Sequence, residues 1–243
     1  EESGVGHRVG VGDLPIAKPA QRGTHLGGVL GGGPDGAVIG AVPLRDVEGC
    51  SLVTVSAAGL VKRTALGEYA DARQRTLQAA GVRDGDRLVA AAWCHDDDHL
   101  LLAHDHGLVT RFRAGDVRPM GRTAAGVAGM TVPDGARIVA LSVAPSDAEE
   151  TEVLTLAADG SAKRTPLAEY PLKNRGGKGL QTGTDALRWC GVAADLHLGD
   201  ERGVVVRAVD IEPGRRAGRG TLLADVPDPL MSVVPETMPP ELR

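Results

Sequence analysis

One basic, glycine-rich segment of the chain reads Lys163-Arg164-Thr165-Pro166-Leu167-Ala168-Glu169-Tyr170-Pro171-Leu172-Lys173-Asn174-Arg175-Gly176-Gly177-Lys178-Gly179-Leu180. It follows a short apolar stretch, residues 153–156, and the turn-forming triplet Ala158-Asp159-Gly160. Because the same order of features returns elsewhere in the chain, the segment is one copy of a repeated unit. Repeats with a period of roughly 20 to 50 residues are typical of solenoids, propellers and arrays.

The first landmark of the repeat is the pattern Gly-x-x-x-Arg. It stands at Gly4/Arg8, Gly59/Arg63, Gly107/Arg111, Gly160/Arg164 and Gly203/Arg207. A short apolar stretch and turn residues precede four of these glycines, and a second short apolar stretch follows. Strand, glycine-containing turn and strand together predict a β-hairpin. The copy at Gly4 lacks its first strand and there is no starting Met, so we expect a fragment that begins inside a repeat.

The second landmark is a further glycine downstream of each of these arginines. These glycines are Gly28, Gly81, Gly129, Gly179 and Gly220. Arg, Gly and Ala crowd the approach to them. In four copies an Asp turn and another apolar stretch follow, as in residues 84–89 and 134–139. Asp-Gly is a strong turn signal, so each repeat is predicted to add further strands after its hairpin.

The repeats lie near residues 1–46, 47–94, 95–142, 152–193 and 194–233. About four short strands in a unit of about 50 residues predict an all-β, propeller-like fold of five or six four-stranded blades. Residues 225–243 are rich in proline, and we expect them to close the last blade and then to form a tail.

The two tryptophans support this register. Trp93-Cys94 and Trp189-Cys190 precede the next hairpin glycines, Gly107 and Gly203, by the same interval, which predicts equivalent core positions for both pairs. Together with Cys50, these cysteines are isolated and odd in number. They are therefore interpreted as small buried side chains under reducing conditions, not as a disulfide framework.

The composition is that of a soluble globular protein, with 42% hydrophobic and 24% charged residues among 243. Aromatic residues make up only 2%, so the core must consist of Val, Leu, Ala and Ile. No apolar run approaches the ~20 residues that span a membrane, and no secretory signal is evident. The net charge of -5 argues against a uniformly basic nucleic-acid binder, although it does not describe how the charge is distributed.

Two motifs resemble a known family. One is Lys163-Arg-Thr-Pro-Leu-Ala-Glu-Tyr-Pro171 with the following Asn174-Arg-Gly-Gly-Lys-Gly179, and the other is Gly121-Arg-Thr-Ala-Ala-Gly-Val-Ala-Gly-Met130. Both are similar to repeats in the C-terminal domain of bacterial type IIA DNA topoisomerase A subunits. The resemblance covers nearly the whole chain and recurs in at least three repeats.

This resemblance implies a β-pinwheel domain over residues 1–224 that binds double-stranded DNA around its outer rim and bends it. The DNA is presented to a separate catalytic core for ATP-dependent strand passage. The implied partners are the ATPase B subunit and the core that belongs to the same polypeptide as this domain, in an A2B2 assembly. ATP and Mg²⁺ are implied for the parent enzyme, whereas this fragment is expected to have no cofactor, metal or catalytic residue. A cytoplasmic, chromosome-associated protein with a part in chromosome segregation is expected.

Within this family, gyrases typically carry Gln-Arg-Arg-Gly-Gly-Lys-Gly in the first blade, a motif tied to DNA wrapping and negative supercoiling. The matching place here reads Gln21-Arg22-Gly23-Thr24-His25-Leu26-Gly27, in which the Gly-Gly-Lys step is missing. A better match, Arg175-Gly-Gly-Lys-Gly179, lies in the fourth repeat without the leading Gln-Arg. This departure from the gyrase motif favours topoisomerase IV, the relative that decatenates DNA. A gyrase with a relocated motif stays the alternative.

Basic residues recur at the hairpin and again before the second glycine of each repeat. In a ring of blades, equivalent positions face equivalent directions, so such residues are expected to form a stripe that follows a bent duplex. Glycines would let backbone N–H groups approach phosphates. The candidate DNA contacts are Lys18, Arg22, Lys62, Arg63, Arg73, Arg75, Arg111, Arg113, Arg122, Lys163, Arg164, Lys173, Arg175, Gly176, Gly177, Lys178, Arg207, Arg215, Arg216 and Arg219.

Other interpretations stay open. The cations can be an ordinary solvated surface, and a propeller with an acidic net charge can serve as a protein-interaction scaffold. Scarce aromatics count against single-stranded nucleic acid or RNA as the ligand. An active site in a central channel would need converging titratable groups, which the repeats do not show.

Three smaller patterns are interpreted as structural. The run from Cys94 to His99 has metal-ligand residue types but no Cys-x-x-Cys pair. Tyr69 and Tyr170 occupy the same repeat position, so they are expected to pack in the core and not to act as a nucleophile. Lys178 follows two glycines, but the Ser or Thr of a nucleotide-binding loop is missing.

Overall fold

The computed structural model describes residues 1–16, 23–34, 36–44, 48–147, 150–193, 196–199, 205–223 and 232–235. Helix is confined to short pieces in this part of the chain: α1 (Leu26–Leu30) has five residues and α2 (Gly67–Ala70) has four. Single 3₁₀ turns lie at Val11–Asp13, Ala114–Asp116, Leu167–Glu169 and Ala208–Asp210. The predicted all-β fold is confirmed.

The described strands are short and most belong to hairpins. In chain order they are β1 (Val5–His7), β2 (Ser51–Ser56), β3 (Leu60–Ala65), β4 (Thr76–Gln78), β5 (Leu88–Cys94), β6 (His99–His104), β7 (Leu108–Arg113), β8 (Val127–Ala128), β9 (Ile138–Ala144), β10 (Glu152–Ala157), β11 (Ser161–Pro166), β12 (Leu180–Gln181), β13 (Leu187–Val192), β14 (Leu196–Gly199), β15 (Val205–Arg207), β16 (Thr221–Leu222) and β17 (Ser232–Pro235).

The strands form antiparallel sheets that serve as blades. Three sheets have four strands, in the orders β5-β2-β3-β8, β9-β6-β7-β12 and β13-β10-β11-β16. A three-stranded sheet has the order β17-β14-β15, and β1 pairs with β4. The predicted hairpins are β2-β3, β6-β7, β10-β11 and β14-β15, and each encloses its landmark glycine. Gly59, Gly107 and Gly160 adopt positive φ angles of 76° to 86° in the turns, a conformation that favours glycine.

In the first four repeats, the outer strand of the blade comes from the next repeat along the chain. Strand β8 of the third repeat pairs with β3 of the second, β12 pairs with β7, and β16 pairs with β11. Strand β4 of the second repeat pairs with β1 of the first in the same way. The chain between a hairpin and the exchanged strand therefore crosses from one blade to the preceding one. We call residues 65–75, 113–126, 166–179 and 207–220 the crossing segments.

The hydrophobic core lies between successive blades. One cluster joins Val53 and Val61 of the second blade, β5-β2-β3-β8, to Leu100 and Phe112 of the third blade, β9-β6-β7-β12. A second cluster joins blades three and four, and a third packs the turn at Ala208–Asp210 against the fourth blade. The inner strands β5, β9 and β13 contact one another in series. Since each buried aliphatic side chain stabilises the fold by ~1.5–3 kcal/mol, the blades stabilise one another.

The predicted equivalence of the two tryptophans is wrong. Trp93 lies opposite Leu52, seven residues before the hairpin glycine, whereas Trp189 lies opposite Leu156, four residues before it. The shared interval runs from each tryptophan to the hairpin glycine of the next blade. It therefore does not determine which residue lies opposite the tryptophan in its own blade. Trp93 is 42% exposed, and only Trp189 packs against a core cluster.

The three cysteines behave as predicted. All three are buried as thiols, and none forms a disulfide. Burial raises the pKa of Cys94 and of Cys190 to about 12, which keeps both protonated and unreactive near neutral pH.

Candidate nucleic-acid interface

The landmark arginines of the first four repeats bind the backbone of the next repeat. Arg63 Nε donates to the carbonyl oxygen of Val117 at 2.7 Å, and Arg164 Nε donates to that of Ile211 at 2.7 Å. Both acceptors directly follow a 3₁₀ turn. Arg111 Nη1 reaches the carbonyl oxygens of Leu167 and Tyr170 at 3.2 Å each, and Arg8 reaches that of Ala72. These arginines therefore join one blade to the next.

A second partner binds the guanidinium groups of Arg63, Arg111 and Arg164. Arg63 pairs with Asp96, and Arg164 pairs with Glu152. Arg111 Nη2 lies 2.7 Å from Nδ1 of His99, and burial lowers the pKa of both groups. Partly buried charges are tolerated here because protein acceptors replace the water that solvated them.

The structure corrects the prediction that the hairpin cations contact DNA. Lys62, Arg63 and Lys163 are only 1%, 2% and 3% exposed, so they cannot reach a phosphate. Arg111 and Arg164 are half-buried and bonded to protein acceptors. The physical reason is that the hairpin strands are covered on both faces by neighbouring blades. Side chains point alternately to the two faces of such a strand. Because a neighbouring blade covers each face, neither set of side chains reaches solvent.

Lys62 shows how a buried amine is accommodated in the second blade. Its Nζ donates to the hydroxyl of Thr64, to the hydroxyl of Tyr69 at 3.3 Å and to the carbonyl oxygen of Ala79 at 3.0 Å. Burial lowers the pKa of Lys62 to about 8. Tyr69 and Tyr170 are 5% and 1% exposed, which confirms that both pack in the core.

The fifth Gly-x-x-x-Arg copy is out of register. Arg111 and Arg164 stand three residues before their 3₁₀ turns, whereas Arg207 directly precedes the turn that begins at Ala208. Arg207 therefore occupies the position of Arg113, which also directly precedes its turn. Both side chains are exposed, so this register points outward.

The exposed candidate cations lie on the crossing segments. The segment at 113–126 has three basic residues against one acidic, and the segment at 166–179 has the same balance. The segment at 207–220 has four against two, whereas the segment at 65–75 is balanced. The predicted residues found here are Arg73, Arg75, Arg113, Lys173, Arg175, Lys178, Arg207, Arg215 and Arg219, all exposed, with Arg122 and Arg216 half-buried.

Six exposed cations of the crossing segments, five of them predicted, make no side-chain hydrogen bond or ion pair to any residue that the structure describes. The six are Arg73, Arg113, Arg118, Lys173, Lys178 and Arg215. Sequence reasoning missed Arg118, because it belongs to neither landmark. The only signal that could have found it is its position between Arg113 and Arg122, in the same segment. A seventh such cation, Arg83, lies in a turn outside the crossing segments.

Three further cations are exposed but pair with a carboxylate. Arg75 lies 3.8 Å from Asp13, Arg207 lies 3.3 Å from Asp210, and Arg219 lies 2.9 Å from Asp159. Exposed pairs of this kind contribute little to stability because water and salt screen them. These arginines can therefore exchange their carboxylate for a phosphate at little cost.

Arg175 and the glycine after it tie two crossing segments together. Arg175 donates to the carbonyl oxygens of Asp116 at 3.1 Å and Ala128 at 2.9 Å. The N–H of Gly176 donates to Gly129 at 2.7 Å, so this N–H is not available to a phosphate. Gly177 is exposed, and a Cβ added there would meet nothing closer than 3.9 Å. Of the two predicted glycines, Gly177 leaves room for a ligand.

Acidic residues are spread along the chain, and the crossing segments carry six of them against twelve Lys or Arg residues. Asp96 and Asp97 are exposed in a connection between blades, and Asp84 and Asp134 are exposed in turns. The chain therefore combines a net charge of -5 with locally basic crossing segments.

The first repeat is described only in part. Lys18 and Arg22 lie outside the described residues, so their predicted role stays a prediction. Beyond them, the N–H of Gly27 donates to Nδ1 of His25 at 3.2 Å, and this ring caps helix α1. Leu26, which is 42% exposed, opens that helix.

Two further features, a metal-binding cluster and a membrane-spanning helix, do not occur among the described residues. No group of three or more His, Cys, Asp or Glu side chains is placed to hold a metal ion, and no helix is long and apolar enough to cross a membrane.

The family model for the DNA gyrase C-terminal domain, beta-propeller, matches residues 51–92, 98–145 and 151–184. This chain belongs to that family. The matched ranges contain the central hairpins of the three four-stranded blades, with β9 and most of β5, whereas the inner strand β13 lies beyond the last range. The first and fifth repeats fall outside the match.

Curated relatives of this family member are the A subunits of DNA gyrases. The one from Mycobacterium leprae (strain TN) is 38% identical over 173 residues, which are 70% of this chain and 13% of that protein. The one from Staphylococcus epidermidis (strain ATCC 12228 / FDA PCI 1200) is 34% identical over 187 residues, which are 73% of this chain and 21% of that protein. The chain thus spans between 13% and 21% of the length of these relatives.

Solved structures show the same fold. The C-terminal domain of a DNA topoisomerase IV superposes with a TM-score of 0.77 at 23% identity, covering 88% of this chain and 70% of that one. A DNA gyrase A C-terminal domain superposes with a TM-score of 0.63 at 20% identity, covering 74% and 64%. At these identities the comparison concerns the fold alone, and it agrees with the propeller-like fold predicted from the repeats and with the pinwheel that the family resemblance implies.

Proposed function

We propose that this gyrase-family domain binds double-stranded DNA along its crossing segments, without reading sequence, and bends it. The observation that carries the proposal is the placement of the unpaired cations. Six of the seven exposed cations without a side-chain partner among the described residues lie on crossing segments, and these segments follow one another from blade to blade.

The chemistry of these segments suits a phosphate backbone. DNA carries one charge per ~1.7 Å, and each phosphate that is neutralised releases a counterion. Positive charge is supplied here by side chains that have no hydrogen-bond partner among the described residues, such as Lys173, Lys178 and Arg118. Such cations suit phosphate contacts, which position a duplex but do not specify bases. In a propeller-like fold successive blades are rotated about a common axis, so a duplex that follows them would bend.

A salt titration tests this proposal. The log–log slope of DNA affinity against salt should be about -0.9 per phosphate contact. The variant R118A/K173A/K178A should bind more weakly, and its slope should be smaller by up to about 0.9 for each phosphate that is no longer neutralised. The matched control R83A/R87A/R137A removes the same charge from exposed turns outside the crossing segments.

Three results would count against DNA binding at these segments: salt-insensitive binding, a strong preference for one sequence, or equal effects of both triple variants. A chain that binds no DNA at all would favour the protein-interaction scaffold.

In the parent protein, the domain would present DNA to the catalytic core of the same polypeptide, which pairs with an ATPase B subunit in an A2B2 assembly. ATP and Mg²⁺ would serve that parent enzyme. The Gly176-Gly177-Lys178 run does not fit a nucleotide loop, because an exchanged strand follows it and not a helix. Association with the chromosome in the cytoplasm follows from this role.

The finer assignment depends on the first repeat. His25 caps a short helix and Leu26 is exposed where the resembling gyrases carry Gly-Gly-Lys. Leucine cannot contact phosphate favourably, which supports a weak clamp and a topoisomerase IV-like, decatenating enzyme. The second candidate is a gyrase, favoured by the curated relatives, which are named as gyrases.

A topology assay of the parent enzyme with its B subunit distinguishes the two candidates. A topoisomerase IV-like enzyme should decatenate and relax DNA with ATP and introduce few or no negative supercoils. Conversion of relaxed plasmid to a highly negatively supercoiled form would show a gyrase, whose wrapping motif has then moved to the fourth repeat.

A further inference from the structure

The buried ammonium group of Lys163 lies beneath the basic crossing segment of the fifth repeat. Its three N–H groups are shared among four carbonyl oxygens, those of Thr182 at 2.5 Å, Arg215 at 2.9 Å, Arg216 at 2.6 Å and Gly218. We call these four acceptors the carbonyl cage. Three of them belong to the segment that carries Arg215, Arg216 and Arg219.

The carbonyl cage fixes the path of this segment. Three carbonyl groups within residues 215–218 can meet one ammonium group only if the backbone curls around it. Hydrogen bonds from an ionised donor are about twice as strong as neutral ones, so this curl is strongly favoured. The side chains of Arg215 and Arg219 remain exposed, whereas carbonyl groups within residues 215–218 are bonded to the buried Lys163.

A second anchor holds the same segment from the side of the fourth repeat. The N–H of Arg216 donates to Oε2 of Glu169 at 2.7 Å, and Nη1 of Arg216 donates to the carbonyl oxygen of Gln181. The segment also lies close to Gly183, where an added Cβ would come within 2.7 Å of the carbonyl oxygen of Ala217. The blade and the segment are therefore in close contact along this length.

The carbonyl cage is particular to Lys163 and is not a general feature of the repeat. Lys62 stands at the same place, three residues after its hairpin glycine, but it bonds Thr64, Tyr69 and Ala79 of its own repeat. None of the hydrogen bonds of Lys163 goes to Thr165 or Tyr170, the counterparts of Thr64 and Tyr69. In the third blade this place holds the short side chain of Thr110.

We propose that Lys163 is a positioning residue for DNA binding, which curls residues 215–218 and so holds the cations of this segment against the duplex. The inference rests on the proposed function. It differs from the sequence prediction, because Lys163 acts through the backbone of the segment and never touches DNA.

The test compares K163M with K62M in this chain. Both substitutions remove one buried ammonium group, so a general effect of charge or stability should be shared. Trypsin should cut K163M after Arg215, Arg216 or Arg219 about 10-fold faster than wild type, because the segment opens more often. The log–log salt slope of DNA binding should become smaller by about 0.9 for each phosphate that is no longer neutralised. K62M should change neither the cutting of this segment nor the slope.

If K163M does not fold, E169A loosens the same segment by removing the acceptor of the Arg216 N–H, and it should give the same cleavage pattern. The inference is overturned if the segment stays uncut, if it is cut without a change in slope, or if K62M has the same effects. A wild-type chain that does not bind DNA overturns the proposed function as well, and the digestion still shows whether Lys163 holds the segment.

Discussion

Arg63 and Val117 join the second blade to the third through a 2.7 Å hydrogen bond from the guanidinium Nε to the carbonyl oxygen. Val117 is fully buried, and Arg63 is 2% exposed. The equivalent Arg164 makes the same contact to Ile211, so the repeated arginine connects neighbouring blades. The cations that stay exposed to solvent lie on the crossing segments and in turns.

Replacing Arg63 should therefore cost stability. R63M leaves the Val117 carbonyl buried without its donor, and we expect a loss of about 1–3 kcal/mol in the free energy of unfolding. The control R113A removes an exposed, unpaired cation from the end of a strand, and it should change this free energy by less than about 0.5 kcal/mol. Urea unfolding monitored by circular dichroism measures both. Equal losses would contradict the role of Arg63 as a clamp between blades.

Two glycines of the basic segment should respond differently to alanine. Gly179 has a φ of +86°, and an added Cβ would lie 2.9 Å from the backbone of Val109. G179A should therefore destabilise the chain by about 2–4 kcal/mol, from backbone strain and overpacking. G177A places its methyl group in open space and should be nearly neutral. Thermal unfolding of both variants measures the difference, and a neutral G179A would show that the exchanged strand is not held this closely.

Acid should destabilise the folded chain through two buried histidines. Burial lowers the pKa of both His99 and His104 below the ordinary 6.5. The nearby Arg111 and Arg113 lower the pKa of His99 further. The nearby His106 does the same for His104. A lowered histidine pKa means that the unfolded chain takes up protons first as the pH falls below 6.5. The stability present above that value is then lost. The urea midpoint should fall between pH 7 and pH 5, and less so in H104Q. The same pH dependence in H104Q and wild type would contradict the assignment to His104.

The fold could be predicted because its main signals are local. A hairpin glycine such as Gly107, with apolar stretches on both sides, determines its turn whatever the neighbours are. The exchanged strand β8 carries no such signal, since it has only two residues and its partner strand β3 belongs to the preceding repeat. Only tertiary pairing defines it.

The candidate site was harder to predict, because equal spacing does not imply equal surroundings. Arg63 and Arg113 both look like repeat cations in the sequence. Packing of the next blade buries the first and leaves the second in solvent. Lys62 and Lys163 share a register yet bond different repeats. The sequence alone shows where charge recurs, whereas the neighbouring blade decides which charge faces a ligand.

Bending of DNA by the crossing segments is tested most directly by energy transfer between dyes on the two ends of a short duplex. The wild-type chain at saturating concentration should bring the ends closer and raise the transfer efficiency. R118A/K173A/K178A should raise it less even when the duplex is saturated, and R83A/R87A/R137A should match wild type. Saturated binding with no change in transfer, or the same loss in both triple variants, would contradict the account.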